Sequence, residues 1–224
     1  FFSSRRRHTR FRNVTGVQTC ALPICPAGLE AALALGRRGY RVSLAEAGRE
    51  LGGRLLFEAG LPGLATWIRV RDHRQHMLEK LANVEIFRES VLTADDILAL
   101  GADHVVLATG SRWRRDGIGI AGTRPVPIAA DAAIATPDDL GEGADPILIY
   151  DDDHYFMAGA LAEMFARAGR RVIYATRNPI VSAWTQMTDE QYLVEARLAG
   201  LGVEIRLSLT LRSEEHTSEL QSRF

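Results

Sequence analysis

Cross-links and aromatic bulk are scarce in this chain: 224 residues carry two cysteines, and Phe, Trp and Tyr make up 7%. That excludes a disulfide-stapled mini-protein. No run approaches the ~18 consecutive apolar residues that a membrane-crossing helix needs. An excess of one charge is also missing. The 27 Lys+Arg against 28 Asp+Glu leave a formal net charge of -1, which gives no global pull towards nucleic acid or anionic lipid. What is present is a hydrophobic share of 46%, enough for a packed core and too much for a disordered tail. The length fits one large domain or two small ones.

The ends do not read like the middle. Residues 1–25 (FFSSRRRHTRFRNVTGVQTCALPIC) hold five arginines and no acid, and keep neither a helical nor a strand period. They lack the apolar stretch and small-residue cleavage site of a secretory signal. This segment resembles the conceptual translation of a sequencing-library adapter, and so does RSEEHTSELQSRF at 212–224. Both are expected to be non-native, with 26–211 as the native stretch. Setting them aside removes seven of the 27 bases and three of the 28 acids, leaving 20 against 25. Cys20 and Cys25 go with them, so no disulfide, thiol redox pair or Cys-ligated metal is expected. Lys80 is then the single lysine among the bases, and alanine is abundant, the usage of a GC-rich bacterial genome.

Residues 26–211 alternate helix and strand patterns, which points to an α/β fold with parallel strands. Pro26–Arg38 reads as a helix, Arg41–Glu46 as a strand and Leu51–Arg54 as a glycine turn. A helix follows over Thr66–Leu81, with Trp67, Val70, Met77, Leu78 and Leu81 as its core face, then a strand over Val84–Phe87. Thr93 with Asp96 three residues on predicts a capped short helix. His104–Ala108 (HVVLA) predicts a central, buried strand. After the loop-like stretch 114–145 a second unit begins. Its expected elements are a strand over Pro146–Tyr150, a helix over Tyr155–Ala168 and a strand over Arg171–Thr176. A helix over Thr188–Leu201, with Leu193, Ala196 and Leu201 inward, and a strand over Val203–Leu207 complete it.

The first unit has the parts of a dinucleotide site. Such a site begins with a strand running into G-x-G-x-x-G, where glycines permit close backbone approach and the diphosphate rests on a helix N-terminus. Pro26-Ala27-Gly28 supplies the third glycine, while the first strand and the first two glycines fall where the adapter-like segment stands. Glu46 ends the next strand, where an acid binds adenosine ribose hydroxyls. Gly52-Gly53-Arg54 and Ala108-Thr109-Gly110 add glycines at strand carboxyl ends, where open α/β sheets bind their ligands.

PAGLEAA, Glu46, LGGR and VVLATG, in that order, resemble the two-dinucleotide-domain flavoproteins. LPGLATWIRVRDHR, TADDILALGADHVVLATGSRWRRDG and YDDDHYFMAGALAEMFARAG are similar to the C-terminal half of trimethylamine and dimethylamine dehydrogenases. The wider family is that of the NADH:flavin oxidoreductases and 2,4-dienoyl-CoA reductase. The resemblance covers essentially all of 26–211. It implies two Rossmann-like three-layer units with parallel sheets, the first lacking its first strand. Residues 26–145 would be the FAD- or ADP-binding domain and 146–211 a partial NAD(P)-type domain. Gly28, Glu46, Gly52, Gly53, Arg54, Ala108, Thr109 and Gly110 would contact the FAD or ADP. The resemblance also implies a β/α barrel with FMN and a 4Fe-4S cluster, neither of which has residues here, so no catalytic residue is assigned. A methylated amine would be oxidised on that barrel. An electron-accepting flavoprotein as partner, homo-oligomerisation at full length and a bacterial cytoplasmic location belong to the same expectation. No nucleic-acid or membrane partner is expected.

The second unit's loop departs from the pyridine-nucleotide pattern. Where the glycines belong the chain reads Asp151-Asp152-Asp153-His154-Tyr155-Phe156. Three carboxylates repel a diphosphate, by about 4 kcal/mol for each like-charge contact at ~4 Å and a surface-like dielectric. The turn is expected to be solvated and to cap the following helix, without metal. His73 and His76 are expected to be surface polars, Trp113 and Trp184 packing residues, and Arg177 a solvated loop residue. Two other readings remain: an FAD- and NAD(P)H-dependent reductase, and a non-catalytic nucleotide-binding module used in assembly.

Overall fold

The computed structural model describes residues 26–119, 125, 133–141, 143 and 145–210. Both adapter-like segments, with Cys20 and Cys25, lie outside the described residues. The fold is α/β and every paired strand runs parallel to its neighbour. Two compact units divide the chain: Phe1–Gly60 with Leu64–Ser111, and Leu61–Gly63 with Arg112–Phe224.

In the first unit the order is α1 (Pro26–Arg37), β1 (Val42–Ala45), α2 (Leu55–Glu58), α3 (Ile68–Leu78), β2 (Val84–Phe87) and α4 (Ala94–Ala99). Pro26 suits the first position of α1, where its missing N–H is not needed. Leu29, Ala32 and Leu33 form one stripe and are buried with Val42, Leu44, Leu51 and Leu78. Gly39, at φ +90°, ends α1. Its N–H reaches the Gly36 carbonyl at 3.0 Å, and the Tyr40 N–H reaches Leu35 at 3.2 Å. This left-handed cap turns the chain straight back into β1. The Asn83 amide adds hydrogen bonds to the Gly36 and Tyr40 carbonyls. All four residues of β1 are buried, and Val42 to Ala45 lie opposite Val84 to Phe87 of β2. Thr93 and Asp96 form the capping box expected of them at the start of α4.

The second unit repeats the plan: β3 (Ile147–Asp151), α5 (Met157–Arg167), β4 (Val172–Thr176), α6 (Gln191–Gly200) and β5 (Glu204–Arg206), with sheet order β3-β4-β5. Gly169 and Gly202 close α5 and α6 with the same pair of backbone bonds that Gly39 makes after α1. Gly159 lets α5 and α6 approach closely, since a Cβ there would lie 2.9 Å from Val194 Cγ1.

Three expectations are corrected. His104–Ala108 is not a buried strand: no strand among the described residues pairs with it. Val105 and Leu107 are 42% and 68% exposed, whereas Val106 and Ala108 are half-buried. Burial thus alternates along the segment, so that one face is sheltered and the other is not. In α6 the residues expected inward, Leu193, Ala196 and Leu201, are exposed, and Val194 and Leu198 pack on the core instead. A 3-10 turn, Ala183–Thr188, ends at left-handed Asp189 and restarts the helix at Gln191, which rotates the stripe. In α3, Met77 and Leu78 pack on the core while Val70 is exposed. Ala65–Trp67 is likewise a separate 3-10 turn.

Candidate nucleotide site

Glu46 follows β1 directly. It is 2% exposed, and its Oε1 accepts the Gly48 N–H at 2.7 Å. The backbone around it is held on both sides. Glu46 N–H donates to the Phe87 carbonyl at 2.8 Å, and the Glu46 carbonyl accepts Ser90 N–H at 2.8 Å. The carboxylate is therefore fixed at the carboxyl end of the β1–β2 pair.

The Gly52-Gly53 turn comes next, with φ of +122° and +52°, values that side-chain-bearing residues rarely adopt. Leu55 and Leu56 N–H groups close it onto the Gly52 and Gly53 carbonyls and open α2. Arg54 stands at the start of α2, and its Nη2 donates to the Ser111 carbonyl. In the partner segment Ala108 is half-buried against the first core, and Thr109 and Gly110 are exposed. Gly110 has φ +75°, and a Cβ built there would meet nothing within 4 Å. Gly28 is buried in the first turn of α1. The structure thus links the Arg54 turn to the end of the Ala108–Gly110 segment and pins Glu46 beside Gly48. Ser111, whose carbonyl receives Arg54, carries no sequence signal, because any residue supplies a carbonyl.

At the corresponding end of β3 the expectation of a solvated acidic turn is overturned. Asp151 is 1% exposed. Its Oδ1 accepts His154 N–H at 2.8 Å and its Oδ2 accepts the Tyr174 hydroxyl. The Tyr174 oxygen in turn accepts Ser182 N–H at 3.0 Å, and Thr176 Oγ1 donates to the Asp151 carbonyl at 3.1 Å. A buried carboxylate is tolerated because donors surround it. Burial still pushes the Asp151 carboxyl above its ordinary range, against the lowering pull of the Tyr174 hydroxyl, and it pushes the Tyr174 hydroxyl up as well. Asp153 is raised by burial and then by the charge of Asp151. His154 is 4% exposed, with Nδ1 at 4.0 Å from Asp151 and Nε2 at 4.0 Å from Asp152. A Cβ on Gly119 would collide with the Asp152 carboxylate, which would have to move aside. Phe156, at the N-terminal boundary of α5, receives no side-chain cap hydrogen bond. The signal missed in the sequence is Tyr174, since a phenol within a buried strand demands a polar partner.

Trp113 is half-buried, whereas Trp184 is exposed and stands edge-on to the His154 ring at 6.3 Å. His73 and His76 are exposed on α3, and Arg177 is half-buried. Among the described residues no helix is long and apolar enough to cross a membrane. No group of three His, Cys, Asp or Glu among them could hold a metal ion.

No family model matches the chain. It is 38% identical over 192 residues to dimethylamine dehydrogenase of Hyphomicrobium sp. (strain x), covering 80% of this chain and 26% of that protein. Histamine dehydrogenase from Rhizobium sp. 4-9 superposes with a TM-score of 0.81 at 44% identity, covering 89% of this chain and 32% of that one. The 6-hydroxypseudooxynicotine amine oxidase of Pseudomonas geniculata N1 gives a TM-score of 0.83 at 39% identity, covering 90% and 31%. The chain therefore spans between a quarter and a third of the length of these relatives. It is a homologue of the dimethylamine and histamine dehydrogenases, and its further matches to an NADH oxidase and an alkene reductase fit the NADH:flavin oxidoreductase family.

Proposed function

We propose that the first unit is the adenine-nucleotide-binding part, for FAD or ADP, of a flavin-dependent oxidoreductase that acts on a methylated amine. The observation that carries this reading is the 44% identity to histamine dehydrogenase over 89% of the chain. The site residues fit the ligand. Gly52, Gly53 and Gly110 hold positive φ, and space is open beside Gly110 for a group to approach the backbone. In this reading Glu46 takes the ribose hydroxyls, and the N–H groups around Gly28 and along Ala108–Gly110 face the diphosphate. FAD, when bound, would supply electron exchange through its isoalloxazine ring, whereas ADP would supply none. The amine-oxidising FMN and 4Fe-4S chemistry belongs, on this reading, to a segment of the complete enzyme outside the region matched here, as does the choice of electron acceptor.

The second unit bears on the route of the electrons. Asp151, Tyr174 and Ser182 fill the strand end with a satisfied network, and Asp152 and Asp153 add negative charge where a pyridine nucleotide would lay its diphosphate. This favours output to an electron-accepting protein over exchange with NAD(P)H. Calorimetric titration of the chain with ADP, FAD and NADPH tests both parts. Binding of ADP or FAD, with a loss of about tenfold in Glu46→Gln, is the expected result. NADPH binding as tight as that of ADP would overturn the reading of the second unit.

A further inference from the structure

His154 is buried among acids at the end of β3, and the nucleotide reading of the first unit makes no use of it. Its φ of +59° is a left-handed value uncommon for a residue with a side chain. The backbone is pinned on both sides: the N–H donates to Asp151 Oδ1 at 2.8 Å, and the carbonyl accepts the Trp184 N–H at 2.8 Å. The ring nitrogens are less well served. Nδ1 is buried and makes no hydrogen bond among the described residues. It stands 4.0 Å from Asp151 Oδ2, and Nε2 stands 4.0 Å from Asp152 Oδ1. Each contact is about 1 Å too long for a hydrogen bond. A neutral imidazole carries one N–H and one lone pair. Whichever nitrogen holds the proton, the other turns a lone pair towards a carboxylate. A second ring proton removes that conflict and offers each carboxylate a donor. The charges that act on this turn are those of Asp151, Asp152 and Asp153. Tyr174, from β4, is kept neutral by burial, and the 3-10 turn Ala183–Thr188 carries no charged residue. On α5, Glu163 is bonded to Arg167 and Arg197, and on the segment leading to Gly119, Arg114 pairs with Asp116.

We propose that the turn Asp151–His154 is a proton-operated clasp. A second proton on the His154 ring draws the Asp151 and Asp152 carboxylates onto it and locks the turn before α5 to the 3-10 turn that carries Trp184. Imidazole exchanges charge between about pH 5 and 8, so the clasp closes on mild acidification and loosens as pH rises. The positive ring also opposes the burial that pushes the Asp151 carboxyl up, which helps to keep that partner ionised. None of this depends on a nucleotide bound to the first unit.

The test combines NMR of the His154 ring nitrogens with hydrogen exchange of the Trp184 amide, corrected for the intrinsic pH dependence of exchange. Both are read on the full chain at about pH 8 and about pH 5.5, in wild type, His154→Asn and Asp152→Asn. Asn suits the left-handed backbone at 154 and removes the imidazole. The expected result in wild type is a second ring proton at the lower pH, with the Trp184 amide about tenfold better protected there. Asp152→Asn should cut that gain to about threefold, and His154→Asn should abolish it. A ring that keeps a single proton at both pH values overturns the proposal, and so does protection that stays level or falls on acidification. An undiminished gain in His154→Asn would assign the effect to the carboxylates alone, and an undiminished gain in Asp152→Asn would remove one half of the clasp; either overturns it. If His154→Asn does not fold, the wild-type ring signals and Asp152→Asn decide.

Discussion

Asp151 is the residue at which burial and charge oppose each other most directly. Its carboxyl is held above the ordinary value of 3.8 chiefly by desolvation, and neighbouring Asp153 is raised in the same direction. A raised folded-state value means that the folded chain binds protons more readily than the unfolded one. The stabilisation is therefore complete below pH 3.8 and is lost as pH rises through the folded-state values. Mild acidification from neutrality should raise the melting temperature of the second unit through these groups. Asp116, lowered by Arg114, works the other way, but both are solvent-exposed and screened. Asp151→Asn should flatten the rise, because its amide keeps the shape without the charge. Melting curves collected from neutral pH down to about pH 4 check this, and parallel profiles for the two proteins would refute it. Tyr174→Phe has the opposite character. It strips Asp151 and Ser182 N–H of a shared partner and should cost about 2 kcal/mol, read as a lower urea midpoint with an unchanged slope.

At the scale of elements, helix ends and helix crossings depend on glycines for separate reasons. Gly39, Gly169 and Gly202 each take a left-handed conformation that ends a helix and starts the following strand. Their pattern is legible in RRGYRV, RAGRRV and GLGVEI, because a helix followed within a few residues by a β-branched run needs such a stop. Gly159 lies inside α5 with no conformational demand, and only the approach of Val194 and Ser182 explains it. Gly159→Ala should therefore destabilise by about 1–3 kcal/mol through overpacking, whereas Gly39→Ala should cost about 1–2 kcal/mol through backbone strain alone. Combining Gly159→Ala with Val194→Ala tests the difference. Recovery of part of the lost stability in the double variant is expected, and strict additivity of the two losses would count against the packing explanation.

For the whole molecule, each unit has its own core, one around Leu29, Leu44 and Leu78, the other around Ala162, Tyr174 and Leu198. Apolar side chains outside these cores, including Val91, Leu98, Val105 and Leu107, are exposed. Exposed apolar side chains grouped along one segment invite association with other chains. Val105→Thr with Leu107→Ser should slow aggregation on warming, measured by light scattering, while the melting temperature stays within about 2 °C of wild type. An unchanged aggregation rate would show that the association surface lies elsewhere.

The sequence by itself determined the alternation of helices and strands, the helix-ending glycines, the capping box at Thr93 and the order of Gly28, Glu46, Gly52-Gly53 and Thr109-Gly110. All of these are set by contacts within a few residues, or by conformations that only certain residues adopt. Tertiary structure decided the rest. Which face of His104–Ala108 is sheltered depended on the first core, against which Ala108 packs, and not on its own residues. Which face of α6 turned inward depended on the left-handed stop at Asp189. Asp151 became a buried hydrogen-bonded group because Tyr174, 23 residues away, delivers a hydroxyl to it from the adjacent strand. The bond from Arg54 to Ser111 likewise exists only because folding brings together two segments that share no local pattern.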